Sequence, residues 1–323
     1  MNESIFEYLS TLSDSWKYSG PIFDVHTHIG APNDVEKLVK IEEEFGITAQ
    51  VGIVHAPGFR NLEEQFPNRF VFAKYLSMSD VAQFNTNAII EDISKIKEQG
   101  FSLAKMWFGP RWRDYVGEVP GGFRVDSPKL EPVFRALENE GIPLLLHVAD
   151  PDTYFANQYK DSEKYGTKEE HLSQLESLIS RHSRLKFQLA HMASQPEPHR
   201  LPTLARWLDR YPNVSLDTAS SRWMARELSK DTEKSRAFMI KYADRVMFGT
   251  DISTNGGSYE YYSGRYTSQR ILWETDRKEV PLPIPDPETK DSGGTFINGL
   301  DLPIAILRKI YWKNAREFYN LSS

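Results

Sequence analysis

The sequence predicts an α/β protein, a (β/α)8 TIM barrel whose metal site lies at the C-terminal ends of the strands. Two observations favour this fold class. Eight short apolar runs lie between residues 22 and 251, and most are separated by segments with helical spacing of apolar residues, as in parallel strands joined by crossovers. Several of these runs end on histidine, lysine or aspartate, at the position where such barrels carry catalytic residues.

Each element has its own signal in the chain. The first strand is expected at 22–30, and the following helix starts at a cap formed by Asn33 or Asp34 and ends before Gly46. Short apolar runs predict the remaining strands at 50–55, 70–76, 101–108, 143–148, 185–191, 213–217 and 245–251. Helical spacing predicts helices at 81–99, 128–140, 172–179, 201–210, 225–242 and 303–319.

Two segments fall outside the strand and helix alternation. Residues 1–20 are expected to form a short amphipathic helix that plugs the barrel or makes a subunit contact. Residues 253–300 contain tyrosines, glycines and prolines without a regular pattern, and a long irregular segment is usually functional. We interpret 253–300 as an insertion after the eighth strand, a lid or a subunit contact, within one domain spanning 1–323.

Composition limits the class of protein and its partners. The formal charge of −6 and the scattered basic residues argue against nucleic-acid binding. Residues 1–16 lack the features of a signal peptide, and no later apolar run approaches ~18 residues. The chain has no cysteine, so a metal would be held by nitrogen and oxygen donors. We expect a cytoplasmic protein with a small-molecule substrate and no membrane partner, which could form a homodimer.

The strand at 22–30 carries half of a metal site. Residues two apart on a strand share a face, so Asp24, His26 and His28 should line up together. Further candidate ligands or proton carriers end other strands, namely His147, His191 and Asp251. In a barrel these strand ends converge, which predicts a metal centre at the mouth.

The order of these residues resembles the amidohydrolase superfamily, specifically the amidohydrolase-2 branch with the aminocarboxymuconate-semialdehyde decarboxylase-like enzymes. The resemblance rests on Phe-Asp-Val-His-Thr-His at 23–28, Phe-Gly-Thr-Asp at 248–251 and Lys-Asn-Ala-Arg-Glu-Phe at 313–318, and it spans about residues 21–320. It implies that one divalent ion is bound by four residues, His26, His28, His147 and Asp251. Zinc is the expected ion and manganese the alternative.

Asp251 and His191 are the predicted catalytic residues. The resemblance implies that His191 lies next to bound water or substrate, where it can polarise a group or carry a proton. A metal lowers the pKa of bound water to about 7, and Asp251 could both coordinate the ion and accept that water's proton. Asp24 is expected to orient a ligand through a hydrogen bond.

Four residues are predicted to contact substrate: His55, Lys105, Trp107 and Arg222. His55 ends a strand, and by position it is equally suited to a structural role. Lys105 lies in an apolar strand that also carries Trp107, and a buried lysine needs an anion, which can be substrate, a carboxylate or CO₂ as a carbamate. Arg222 follows a strand and could clamp a carboxylate. By contrast, His171, His182 and His199 are expected at the surface.

Three functions remain open at this level. The first is a metal-dependent hydrolase in which metal-activated water attacks a C–N or C–O bond of a lactone, amide or ester. The second is a metal-dependent non-oxidative decarboxylase of the same superfamily. The third, from another class, is an inactive barrel that acts as a binding protein, against which the retention of all the predicted ligands argues.

Overall fold

The computed structural model describes residues 16–30, 34–55, 58–116 and 123–321. The predicted helix at 1–20 therefore lies mostly outside the described residues, and the described part of it, 16–20, is not helical. The described chain divides into two compact units. Unit 1 takes its residues from 1–52, 56–70 and 218–323, and unit 2 comprises 53–55 and 71–217.

The eight predicted strands are present, followed by a short ninth. They are β1 (Ile22–Ile29), β2 (Ile47–Val54), β3 (Phe70–Tyr75), β4 (Leu103–Phe108), β5 (Leu144–Val148), β6 (Phe187–Leu189), β7 (Val214–Asp217), β8 (Val246–Met247) and β9 (Ile252–Ser253). Their order in the sheet is β8-β7-β6-β5-β4-β3-β2-β1-β9. Strands that neighbour one another in both sequence and sheet, with helices between them, are those of the predicted (β/α)8 TIM barrel.

Most of the α-helices lie in the crossovers between the strands, and three follow β9. The α-helices of eight residues or more are Val35–Glu44, Thr86–Ser94, Glu131–Glu140, Lys168–Arg181, Leu201–Arg210, Ser221–Leu228, Thr232–Lys241 and Tyr259–Glu274. Shorter α-helices are Arg60–Gln65, Met78–Ala82, Arg113–Val116, Asp152–Asn157, Ser162–Tyr165, Ile304–Arg308 and Asn314–Phe318, the last two joined by a π-helical turn at Lys309–Lys313. No helix among the described residues is both long and apolar enough to cross a membrane.

Unit 2 is built on the parallel strands β3 to β7. Leu145 of β5 lies in register with Lys105 of β4 on one side and with Gln188 of β6 on the other. The apolar side chains of these strands are almost completely buried, as Leu103, Leu144 and Phe187 illustrate. Parallel strands covered on both faces form continuous apolar runs of this kind, which is why the sequence shows them clearly.

Two predicted helices are each divided into two. The helix expected at 81–99 is interrupted at Phe84, whose φ of 54° is left-handed, so a right-handed helix cannot pass through it. The helix expected at 225–242 stops after Leu228, and the second part begins at Asp231, whose side chain accepts a hydrogen bond from the Lys234 amide. Aspartate favours this capping position.

In unit 1, residues 253–300 are more regular than the sequence suggests. The helix Tyr259–Glu274 buries twelve of its sixteen residues and packs against the helices Val35–Glu44 and Ser221–Leu228. Beyond it, β10 (Val280–Pro281) and β11 (Phe296–Ile297) form an antiparallel pair. The expectation of an irregular segment was wrong because half of the buried residues of this helix are Tyr, Ser, Thr or Gln, which give no apolar period.

Candidate metal centre and active site

The main chain after β8 runs beside β1 and fixes the spacing of the candidate metal site. The Val25 amide donates to the Phe248 carbonyl at 2.8 Å, and the Asp251 amide donates to the His26 carbonyl at 2.9 Å. Farther on, His28 is in register with Ser253 of β9. Asp251 is therefore held at the end of the first strand by hydrogen bonds between backbone groups.

His26, His28 and Asp251 form a compact group of donor atoms in unit 1. The Asp251 Oδ1 atom lies 3.5 Å from His26 Nε2 and 3.2 Å from His28 Nε2, and one ligand atom from each residue lies within 4.8 Å of the others. Two donors bound to the same zinc ion at its usual distances and tetrahedral angle lie roughly 3.4 Å apart. Two imidazole nitrogens and a carboxylate oxygen thus have the chemistry and the spacing to hold a divalent ion.

Asp24 stabilises the backbone next to this group of donor atoms. Its Oδ1 atom accepts hydrogen bonds from the amides of His26 and Thr250, each at 3.1 Å, so one carboxylate orients the backbone on both sides of the site. Burial raises the pKa of Asp24 to about 8, against the lowering effect of the Thr250 hydroxyl. The Tyr266 hydroxyl lies 3.4 Å from Asp24 Oδ2 and 3.1 Å from Glu42 Oε1.

In unit 2, His147 and His191 face each other. His147 Nδ1 lies 3.1 Å from His191 Nε2, and the rings meet edge to face. The other nitrogen of His147, Nε2, lies 2.8 Å from the Ala149 carbonyl oxygen and 3.0 Å from Asp150 Oδ1. A carbonyl oxygen can only accept, so Nε2 carries a hydrogen and Nδ1 of the neutral ring presents its lone pair. Among the ring nitrogens of His147, Nδ1 is therefore the one able to bind a metal.

An unusual backbone turn places His191. It begins a run of four residues, through Ser194, with φ between 53° and 59° although none is glycine. The His191 amide donates to Asp217 Oδ1 at 2.8 Å, and Gln188 donates to the other oxygen of the same carboxylate at 2.8 Å. Non-glycine residues adopt this conformation only where the surroundings enforce it.

Lys105 lies near aromatic and polar side chains of unit 2. It is 1% exposed and in register with Tyr75 of β3, and the Tyr75 ring centroid is 4.9 Å from that of His55. Burial lowers the pKa of His55, and the charge of Lys105 lowers it further. Burial also raises the pKa of Tyr75, so near neutral pH His55 is uncharged and Tyr75 keeps its proton.

The other two predicted substrate residues lie in different units. Trp107 is in register with His147, and their ring centroids are 6.2 Å apart, so this indole lines the His147 side of unit 2. Arg222 is the second residue of the helix Ser221–Leu228 in unit 1 and is partly exposed.

Two histidines expected at the surface are buried. His182 is fully buried, with Nε2 3.2 Å from Glu131 and Nδ1 3.3 Å from Glu138, and His171 places Nε2 2.7 Å from the Tyr165 carbonyl oxygen. The partners of His182 lie more than forty residues earlier in the chain, which a helical pattern does not reveal, whereas the partner of His171 lies six residues before it. His199 is exposed, as predicted.

Asp217 and Asp150 were missed in the sequence, although both had a signal. Asp217 is the last residue of β7, which is the same strand-end position that drew attention to His147 and Asp251. Asp150 follows β5 by two residues and contacts His147.

Similar solved structures share the fold at low sequence identity. The crystal structure of 5-carboxyvanillate decarboxylase from Sphingomonas paucimobilis matches with a TM-score of 0.56 and 14% identity, over 94% of this chain and 100% of that one. The enzyme of the same name from Novosphingobium aromaticivorans, complexed with manganese and 4-hydroxy-3-methoxy-5-nitrobenzoic acid, matches with a TM-score of 0.55 and 14% identity, over 94% and 97% of the two chains. No curated protein matches the sequence significantly.

The family comparison covers most of the chain. The family Amidohydro_2, described as Amidohydrolase, matches residues 81–321. The matched region includes His147, His191 and Asp251, and it begins after the strand that carries His26 and His28. The protein is thus a member of the amidohydrolase-2 family and a metal-dependent enzyme of the amidohydrolase superfamily.

Proposed function

We propose that this protein is a metal-dependent non-oxidative decarboxylase that removes a carboxyl group from a small organic acid as CO₂. The observation that carries the proposal is the group formed by His26, His28 and Asp251, with the two Nε2 atoms 3.5 and 3.2 Å from Asp251 Oδ1. Support for decarboxylation over hydrolysis comes from the similar solved structures of 5-carboxyvanillate decarboxylases. This reverses the order of preference that the sequence suggested.

In this proposal His26, His28 and Asp251 hold one divalent ion, and His147 is the fourth ligand implied by the resemblance. Zinc suits two or three imidazoles with a carboxylate, and manganese is the alternative because a similar structure contains it. When bound, the ion acts as a Lewis acid toward an oxygen of the substrate and helps to orient it.

The charge of Lys105 suits an acidic substrate. An ammonium group that is 1% exposed attracts a carboxylate more strongly than one in water would. Trp107, His55 and Tyr75 offer aromatic faces in the same unit, which fit a planar, unsaturated acid. We assign substrate binding to His55, Lys105, Trp107 and, through its guanidinium, Arg222.

The chemical step breaks the bond between carbon and carboxylate. The electron pair of that bond stays on the carbon, CO₂ leaves, and the carbon takes one proton, so R–CO₂⁻ and H⁺ become R–H and CO₂. The protein must deliver this proton. Asp251 and His191 are the proposed donors, because a carboxyl or imidazole near the reacting carbon can perform general acid catalysis.

Hydrolysis is the second candidate, and the position of Asp251 favours it. A carboxylate within 3.5 Å of two imidazoles could accept a proton from a metal-activated water that attacks a lactone, amide or ester. The same residues would then serve a reaction that releases no CO₂. A binding protein without activity is the third candidate, and a chain that retained no metal after purification would favour it.

The test is the product that forms. The pure protein, loaded with Zn²⁺ or Mn²⁺, would be incubated with 5-carboxyvanillate and other aromatic and unsaturated carboxylic acids, and in parallel with lactones, amides and esters of similar acids. We expect stoichiometric CO₂ from an acid, measured by a coupled bicarbonate assay. Ring opening or ester cleavage without CO₂ would establish hydrolysis instead.

We further propose a homodimer, a cytoplasmic location and a role of residues 253–300 as a lid or subunit contact.

A further inference from the structure

Lys168 is a buried cation that the proposed chemistry does not use. It is 3% exposed and begins the helix Lys168–Arg181. Its Nζ atom donates hydrogen bonds to the carbonyl oxygens of Asp150 and Ser194 and lies 3.7 Å from the Asp152 carboxylate. Two carbonyls from separate loops thus share one side-chain donor.

These two loops adjoin the facing histidines of unit 2. Asp150 follows β5 and His147, whereas Ser194 ends the left-handed run that starts at His191. The Ser194 hydroxyl adds a second link by donating to the Ala149 carbonyl at 2.9 Å. Ala149 is itself left-handed, with a φ of 64°.

Backbone in this conformation must be stabilised by contacts with other parts of the chain. Left-handed backbone is unfavourable for residues other than glycine, so local preference works against both loops. The hydrogen bonds from Lys168 and Ser194 act on these strained segments. They join the two segments at Ala149, Asp150 and Ser194, close in sequence to the histidines whose ring nitrogens are 3.1 Å apart.

A role confined to the helix would not call for lysine at this position. A cation in the first turn opposes the helix dipole, and the N-terminus is already capped by Thr167 and Glu170, which form a capping box. Burial also lowers the pKa of Lys168, while the nearby Glu197 and Asp152 carboxylates raise it. The contacts of Lys168 therefore point away from its own helix and toward the loops.

We propose that Lys168 is a positioning residue, whose ammonium group ties the loop after β5 to the loop after β6 and so fixes the separation of His147 and His191. The catalytic part of this inference rests on the proposed function, because it assumes that the histidine pair belongs to the active site. The structural part, the tie between the loops, does not.

The experiment compares Lys168→Met with Lys164→Met in the full-length protein. Methionine keeps the length of the side chain without its hydrogen bonds, and Lys164 is a surface residue, 45% exposed and paired with Asp114. Amide hydrogen exchange at residues 149–152 and 191–195 should become about 10-fold faster in Lys168→Met, because each segment loses one hydrogen bond from Lys168. Exchange in the helix Leu201–Arg210 should not change, and Lys164→Met should match the wild type throughout.

Two further readouts follow the histidine pair. Affinity for Mn²⁺ alone, measured by electron paramagnetic resonance, should fall in Lys168→Met, because His147 is a proposed ligand. Turnover should fall by about 10²-fold, the usual effect of a displacement of about 1 Å in an active site. Lys168→Arg, which restores a cationic donor, should recover part of both.

Unchanged exchange at 149–152 and 191–195 in Lys168→Met would overturn the proposal. Faster exchange in a protein whose wild type releases no CO₂ from any acid would instead refute the proposed function and leave the tie between the loops in place. If Lys168→Met does not fold, the proposal is tested by NMR spectroscopy of the wild-type protein. Its Lys168 ammonium protons should then exchange slowly enough to give an NMR signal, and the absence of that signal at low temperature would contradict the hydrogen bonds.

Discussion

Gly249 shows how one residue governs the spacing of the candidate metal site. A Cβ atom added there would lie 3.2 Å from the Cβ atom of His26, closer than such atoms normally approach, and 3.5 Å from that of Ala219, an ordinary contact. The absence of a side chain lets the segment after β8 lie close enough to β1 for the Asp251 amide to reach the His26 carbonyl. Glycine is used where two backbones must approach closely.

The two histidines of β1 can be tested together. Replacing His26 and His28 by alanine should remove most of the bound metal and leave the barrel folded, because a site built on a rigid scaffold does not drive folding in the way a zinc finger does. Elemental analysis and circular dichroism measure the two outcomes. The control is His199→Ala, since that imidazole is 67% exposed. Undiminished metal in the double variant would contradict the ligand assignment.

Asp251 is the residue on which both candidate reactions depend. Asp251→Asn should lower turnover by more than about 10²-fold, even at saturating metal, because an amide can neither donate nor accept the proton as a carboxyl group does. The rate is measured in a single turnover with enzyme in excess. Asp291→Asn, at an exposed position, should behave as the wild type. Turnover near the wild-type rate in Asp251→Asn would exclude this residue from the proton transfer.

At the scale of elements, the helix Tyr259–Glu274 contacts Asp24, the residue that accepts hydrogen bonds from the backbone of the metal site. Its Tyr266 side chain is fully buried between the carboxylates of Asp24 and Glu42. Glu42 also accepts hydrogen bonds from Arg69 and Gln50. The Tyr266 hydroxyl therefore lies between the strand that carries Asp24 and the helix that carries Glu42.

Removing that hydroxyl should destabilise the fold. Tyr266→Phe is expected to lower the free energy of unfolding by about 1–3 kcal/mol, because a buried carboxylate loses a hydrogen-bond donor. Urea denaturation gives the value. Tyr259→Phe is the matched control in the same helix: Tyr259 is 44% exposed, and its change should stay within about 0.5 kcal/mol. Equal stabilities for the two variants would show that Tyr266 has no such role.

The hypothesis that residues 253–300 form a lid or a subunit contact can be tested by changing the segment between β10 and β11. Replacing 282–295 by a short turn spares the buried helix Tyr259–Glu274 and should reduce turnover more than metal content, since a lid acts on substrate. Turnover, bound metal and molecular mass in solution are compared with those of the wild type. A change in mass would favour the subunit contact. Loss of neither turnover nor the native mass would exclude both roles.

At the scale of the whole molecule, the strands were predictable because each contains a short buried apolar run, and several end on a residue with a functional side chain. The failures have physical reasons. Phe84 and the residues 191–194 adopt left-handed conformations without glycine, so no turn signal marks them. His182 owes its burial to Glu131 and Glu138, which precede it by more than forty residues in the chain. Contacts of this kind depend on tertiary packing, which local periodicity does not encode.

The metal content of the whole chain should be one divalent ion. The four proposed ligands, His26, His28, His147 and Asp251, would suffice for one ion, and a second would need a bridge such as a carbamate on Lys105. A protonated ammonium at Lys105 cannot provide it. Elemental analysis after exhaustive dialysis checks the number. Two ions per chain, with a mass increase of the lysine-containing peptide that corresponds to CO₂, would show a binuclear centre.

The hydrogen bond from the Asp251 amide to the His26 carbonyl also bears on how readily one metal can replace another. It joins two backbone groups, so it depends on neither the charge nor the radius of the ion. Donor atoms positioned in this way require little reorganisation when coordination changes. Chelation followed by reconstitution should therefore proceed without refolding, and cobalt or cadmium could be introduced as spectroscopic reporters of the same ligand set.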